Sequence, residues 1–247
     1  DSGVPKDVAE RFIKNLKSHL GDAKFNKIKA NLPNLIKNHG EKGIEAAEAI
    51  MDIYPNASFK EVQKILEKTK KLNQYDEVKD IISFYRTSER SSPKISKVIN
   101  FLNDSTSANS GGKFEIIEAS RRMRKGNDVD LFSKYGDIVD HTEKITFQLK
   151  KSTINENTLK SNITKGYDQL AGKHGEIPAE GYQKVIKVFF EDTDDALKTI
   201  TRDDLIKKTQ HYLKSGKTFR GPEHLDKVIF EIPPNKQIVL TKGDIFN

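Results

Sequence analysis

Cysteine is absent from this chain of 247 residues, which excludes disulfides, thiolate zinc sites and a cysteine nucleophile together. The redox compartment therefore leaves no mark on the sequence. No apolar run approaches the roughly 20 residues that a bilayer span requires, and the N-terminal stretch lacks a signal-peptide pattern, so the expectation is no stable membrane insertion. Histidine is sparse, six residues in all: His19 and His39 are isolated from acidic partners in sequence, and His141, His174, His211 and His224 are scattered. No pair has the spacing of a metal-free RNase or of a His-metal finger.

What is present is polar and basic. Apolar residues make up 35% of the chain and charged residues 32%, with 43 basic against 36 acidic side chains, a net charge of +7. An excess of this size favours approach to phosphate polymers or acidic partners and carries no information about fold. A solvated, lysine-rich surface accounts for the total equally well.

Residues 1–104 read as a run of short amphipathic helices. Val8, Phe12, Ile13, Leu16 and Leu20 recur at helical spacing after Pro5 and stop at Gly21. Phe25 and Ile28 mark a second helix before Pro33, with Leu35 and Ile36 following. Ile44, Ala47, Ile50, Met51 and Tyr54 mark a third that ends at Pro55. Ser58 and Glu61 form a capping box for a helix through Val62, Ile65 and Leu66. Val78, Ile81, Ile82 and Tyr85 give another stripe, and Ile95, Val98, Ile99 and Leu102 the last. The aromatic residues of this half fall at core spacing and no catalytic constellation appears, so a packed bundle is predicted.

Residues 105–113 are small, polar and unperiodic, the composition of a linker that cannot bury enough apolar surface to offset its ordering entropy. From 114 to 247 the texture alternates. Phe114 to Arg124 fits a helix or, because Phe114, Ile116 and Glu118 alternate, a strand. Val129, Leu131 and Phe132 read as a strand, as do Ile138–Val139, Ile145–Lys150, Val185–Phe190, Val228–Ile232 and Ile238–Leu240. Helices are expected over Asn157–Leu170 and from Thr201 through Leu213, ended by Gly216. The predicted fold class is an N-terminal all-α bundle followed by an α/β domain, a mixed sheet flanked by helices.

Chemistry concentrates in residues 136–151. Side chains on a strand alternate between faces, so Gln148 and Lys150 share one face and Phe147 and Leu149 the other. A reversal through His141 to Lys144 is expected to bring Asp140 to the same edge, grouping a carboxylate, an amide oxygen and a fixed cation.

This arrangement resembles the PD-(D/E)xK nuclease superfamily, with Asp140 standing for the Asp, Gln148 for the Glu and Lys150 for the Lys. The resemblance covers about residues 111–247 and implies a restriction-endonuclease-like fold and a divalent-metal-dependent endonuclease. Mg²⁺ is the implied metal, with Mn²⁺ or Zn²⁺ as alternatives. Gln148 departs from the pattern, because a neutral amide is a weaker ligand for a hard cation than a carboxylate. The stretch Gly111 to Ala119 is similar to the superfamily's preceding helix, which carries the third metal ligand to Glu115, with Glu118 one helical turn on as the substitute. Gln169, on the helix after the Lys strand, is a candidate for orienting water or phosphate. Arg121, Arg122, Arg124, Lys125 and Lys151 are placed to follow a nucleic-acid backbone.

The layout of helical module, hinge and small nuclease domain looks like the C-terminal toxic region of contact-dependent growth inhibition proteins and related polymorphic toxins. That likeness implies release from a larger secreted or surface-displayed bacterial protein, action on DNA or tRNA in a target-cell cytoplasm, and a cognate immunity protein. Two other readings stand beside it: a restriction or repair-type endonuclease acting in its own cell, and a catalytically inactive nucleic-acid-binding module.

Overall fold

Helical periodicity in the first half becomes a set of packed helices, and the alternating second half becomes a sheet. The structure, a computed structural model, describes residues 3–87, 111–131, 135–175, 177–191, 195–215 and 219–247. It divides into two compact units, Asp1–Arg124 and Lys125–Asn247. Among the described residues no helix is long and apolar enough to cross a membrane.

In the first unit α1 (Lys6–Leu20) buries Val8, Phe12 and Leu16, one residue per turn, and stops at Gly21, whose φ of 79° suits glycine. Full burial of a side chain such as Phe12 stabilises by about 2–3 kcal/mol. After α2 (Asp22–Ile28), the span α3 (Leu32–Ile53) consists of two helical segments that meet at Gly40, matching the separate apolar stripes at Leu35–Ile36 and from Ile44 to Tyr54. Pro33 sits in its first turn, where its missing N–H is not needed, and Gly40 interrupts it with a non-helical φ of 66° and ψ of −171° that glycine tolerates. The capping box of α4 (Phe59–Leu72) forms as expected: Ser58 Oγ accepts from Glu61 N–H and Glu61 Oε2 accepts from Ser58 N–H. In α5 (Tyr75–Thr87) the stripe Val78, Ile81, Ile82 and Tyr85 is buried. The expected helix over Ile95–Leu102 and linker residues 105–110 lie outside the described residues.

Gly111–Arg124 is α6, a helix and not a strand, and Gly111, Gly112 and Lys113, expected in the linker, are its first residues. It packs against α5 within the first unit. Ser120 Oγ donates to Asp80 Oδ2 at 3.1 Å and Arg124 Nε to the same oxygen. The unit boundary thus falls after Arg124, where the sequence reading placed it before residue 114.

The second unit is a six-stranded mixed sheet in the order β1 to β6, which carries the α/β expectation at the level of class. The strands β1 (Val129–Leu131), β2 (Ile138–Asp140) and β3 (Ile145–Ser152) form an antiparallel meander. Phe132 and Gly216 lie outside the described residues. A crossover through α7 (Glu156–Leu170) brings β4 (Gln183–Phe190) parallel to β3. The next crossover, through α8 (Asp195–Thr199) and α9 (Arg202–Lys214), brings β5 (Lys227–Ile232) parallel to β4, and β6 (Lys236–Thr241) closes antiparallel before a final short helix, α10 (Lys242–Phe246). Leu159, Ile163, Tyr167 and Leu170 of α7 pack with Leu205 and Tyr212 of α9 and with Ile186, Val188, Phe190 and Phe230 of the sheet.

In the first unit His39 is buried, with Nε2 3.0 Å from Glu67 Oε1 and Nδ1 2.6 Å from the Tyr75 hydroxyl. Burial lowers its pKa below the ordinary histidine value, outweighing the opposing pull of Glu67, and burial with the Glu67 charge pushes Tyr75 up to about 12. A folded pKa below the unfolded one means that the unfolded chain takes up the proton first as pH falls. Stability contributed by neutral His39 is therefore complete above its unfolded pKa of about 6.5 and is lost as pH falls through the lower folded value. Thermal melts at pH 7.5 and pH 5.0 are expected to show a fall in Tm that is smaller in His39→Gln; an equal fall in both proteins would contradict this assignment.

Candidate active site

The β2–β3 hairpin determines which side chains meet. Asp140 pairs with Ile145 across the four-residue turn 141–144, Val139 with Thr146 and Ile138 with Phe147. Asp140 consequently shares a sheet face with Ile145, Phe147 and Leu149, while Gln148 and Lys150 lie on the face of Val139 and Thr146. Its strand partner is also three residues short of Gln148, roughly 10 Å along the strand. The expectation that Asp140 joins Gln148 and Lys150 at one edge is corrected on both counts.

Asp140 is instead a structural carboxylate. It is fully buried, Oδ1 accepts from the backbone N–H of Thr142 at 3.0 Å and of Glu143 at 2.9 Å, and Oδ2 accepts from Asn127 Nδ2 at 2.8 Å. This is the local bonding by which an Asp shapes the turn that follows it. His141 continues the same reversal: Nε2 lies 2.6 Å from Asp130 Oδ2 and Nδ1 2.7 Å from the Tyr182 hydroxyl, tying the turn to β1 and to the residue that precedes β4.

The carboxylate beside Lys150 belongs to Asp137, just ahead of β2. Asp137 N–H donates to the Phe147 carbonyl at 2.9 Å, its Oδ2 accepts from Leu149 N–H at 2.7 Å, and that oxygen is 4.0 Å from Lys150 Nζ. Lys150 Nζ donates to Gln169 Oε1 at 2.6 Å and, more weakly, to Gln148 Oε1 at 3.5 Å. Asp137, Gln148, Lys150 and Gln169 thus surround one small volume. The side chains of Lys150 and Asp137 retain 15% and 25% of their exposure, so the group is semi-enclosed yet open to solvent. Gln148 itself is buried.

The position of α7 follows from Gly166. A Cβ at that position would stand 3.0–3.2 Å from three carbons of Ile186 on β4, closer than ordinary contact, so glycine lets the helix lie tight on the sheet. Asn162 Nδ2 donates to the Lys151 carbonyl at 2.7 Å, and the Tyr167 hydroxyl donates to the Gly221 carbonyl at 2.7 Å. These anchors hold Gln169 over Lys150. Burial raises the pKa of Tyr167, keeping its hydroxyl a donor.

The remaining sequence-derived residues are distributed as follows. Glu115 and Glu118 lie on α6 in the first unit. Glu118 is buried and binds Arg122 Nε at 3.0 Å, with Arg121 Nη1 at 3.8 Å. Arg124 binds Asp80, and Lys151 binds Glu191 at 2.5 Å. Arg121, Arg122, Arg124 and Lys151 therefore hold carboxylates of their own unit, and Lys125 begins the second unit. Among the described residues no three His, Asp or Glu side chains are placed to hold a metal ion together. The oxygen groups beside Lys150 are one carboxylate, of Asp137, and two amides, of Gln148 and Gln169, a set compatible with a hard cation that completes its shell with water, as Mg²⁺ does with one or two carboxylates.

Asp137 is the residue that sequence reasoning left without a role. Its signal was the even-numbered turn: four residues between strand partners place Asp140 opposite an odd-numbered neighbour, away from Gln148 and Lys150. Compared with protein-family models, with curated proteins and with solved structures, the chain matches none.

The two aspartates are expected to separate in their effects on stability. Asp140→Ala removes three hydrogen bonds from a buried carboxylate and is expected to cost about 3 kcal/mol in urea denaturation. Asp137→Ala, at a partly exposed position where the hydrogen bond from Leu149 N–H is lost, is expected to cost about 1 kcal/mol. Equal destabilisation by the two substitutions would contradict the division of roles.

Proposed function

We propose that the second unit is a divalent-metal-dependent endonuclease of the PD-(D/E)xK type, with Asp137, Gln148 and Lys150 as its core and Gln169 as the residue that positions the lysine. The observation that carries this reading is the convergence of those four side chains at the junction of β2, β3 and α7. The element order supports it too: a three-stranded meander, then a helix, then a strand parallel to the third.

Asp137 and the Gln148 amide oxygen are the residues that would hold a divalent cation, Mg²⁺ by the oxygen donor set. Such a cation supplies charge withdrawal from a phosphodiester and a more acidic water. The chain's own contribution is explicit. Lys150 brings a fixed positive charge to the oxygens of the scissile phosphate and to an attacking water, and a preorganised charge of this kind acts without reorientation during bond breaking. Gln169 Oε1 accepts from Lys150 Nζ and so fixes its direction. Asp137 Oδ2, held by Leu149 N–H, keeps a carboxylate within 4.0 Å of the ammonium.

The neutral amide at 148 favours a second reading, a module that binds nucleic acid without cutting it. Incubation of the purified chain with plasmid DNA and with total tRNA, with Mg²⁺ or with EDTA, separates the two. Cleavage is expected only with the metal, to fall by about 10³-fold in Asp137→Ala and in Lys150→Ala, and to persist in any Asp140 variant that remains folded. Metal-dependent cutting retained in both Asp137→Ala and Lys150→Ala would overturn the assignment. Salt-sensitive binding with no product under any metal would leave the binding module.

The toxin setting rests on layout, a helical unit followed by this α/β unit. Induced expression of the wild-type chain without an inhibitor is expected to arrest bacterial growth, and that of Lys150→Ala to be tolerated; tolerance of an active wild-type enzyme would favour a restriction or repair role.

A further inference from the structure

The first unit contains a cavity of about 520 Å³ where the end of α1 and helix α2 face the turn between α3 and α4. Its volume lies within the range of small-molecule sites. Lys24, Lys27 and Lys60 line it, and among the described residues no Asp or Glu does. Lys24 and Lys27 are three apart on α2 and so lie on one helical face. Lys60 stands in the first turn of α4, the positive end of the helix dipole, where a cation is unfavourable and an anion is stabilised. Glu61, the acidic residue of that turn, is turned back onto Ser58 in the capping box. The amides of Phe59 and Lys60 take no part in that box, as first-turn amides have no partner within the helix.

Three positive side chains thus line one cavity at a helix N-terminus, a setting that favours an anion. The lining also includes the apolar side chains of Leu20, Ile28 and Phe59. The rim is fixed, because His19 Nε2 lies 2.7 Å from the Ala57 carbonyl and joins the end of α1 to the α3–α4 turn.

We infer that this cavity binds an organic phosphate monoester, the phosphate meeting Lys24, Lys27 and Lys60 and a flat or apolar body resting on Leu20, Ile28 and Phe59, as in a nucleoside monophosphate. The inference stands apart from the nuclease reading, since it concerns other residues in another unit and its readout is binding without turnover.

Calorimetric titration of the full chain with AMP in EDTA tests it. Saturable binding is expected, at least tenfold weaker in Lys24→Glu/Lys27→Glu and unchanged in Lys150→Ala. Both α2 lysines are exposed, so the double variant is expected to keep the wild-type circular dichroism spectrum. Inorganic phosphate, which lacks the body, is expected to bind at least tenfold more weakly than AMP. The inference is overturned by absence of saturable AMP binding, by equal affinity in the charge-reversed variant, by loss of AMP binding in Lys150→Ala, or by phosphate binding as tightly as AMP. Binding to phosphatidylcholine vesicles that contain phosphatidic acid, with none to AMP, would overturn it in favour of a lipid headgroup.

Discussion

The pairing of β2 with β3 is the constraint on which the proposed chemistry depends. Once Asp140 faces Ile145, every other side chain on the hairpin has its face assigned, because strand alternation leaves no intermediate position. The buried carboxylate of Asp140 then serves the turn, and the partly exposed carboxylate of Asp137 reaches Lys150. A slip of one residue would exchange these roles and would also expose Phe147, which is fully buried. Core packing and site geometry are thus fixed by the same register.

The lysine at the centre of the site is held by polar neighbours in place of bulk water. Its side chain keeps little exposure, and partial removal of a cation from solvent is costly unless donors and acceptors replace the lost hydration. Gln169, Gln148 and Asp137 supply acceptors at 2.6, 3.5 and 4.0 Å. Only Gln148 comes from the lysine's own strand. Gln169 arrives because α7 lies close on β4, and that closeness follows from the missing side chain at Gly166. Backbone composition on one element therefore sets the direction of a charged group on another.

Much of this was legible in the sequence, for identifiable reasons. Helices with one apolar residue per turn, such as Val8, Phe12 and Leu16, declared themselves, as did the Ser58–Glu61 capping box and the apolar run of β4. Gln148 and Lys150 could be put on one face because they share a strand, and Gln169 was within view on the following helix. What alternation cannot supply is the offset between two strands, so the sequence pattern points to Asp140 where the fold brings Asp137. The Gly111–Arg124 segment carried both a helical and an alternating pattern. Its placement with the first unit depends on partners far away in sequence, Asp80 with Ser120 and Arg124, which no local composition announces.

In the proposed site two oxygen donors, from Asp137 and Gln148, would hold one cation beside Lys150. Anomalous diffraction from crystals of the chain soaked in Mn²⁺ tests that assignment most directly. The expected result is a peak about 2.0–2.4 Å from a carboxylate oxygen of Asp137 and from Oε1 of Gln148. A peak held by Asp140, or occupied metal positions only elsewhere, would contradict it.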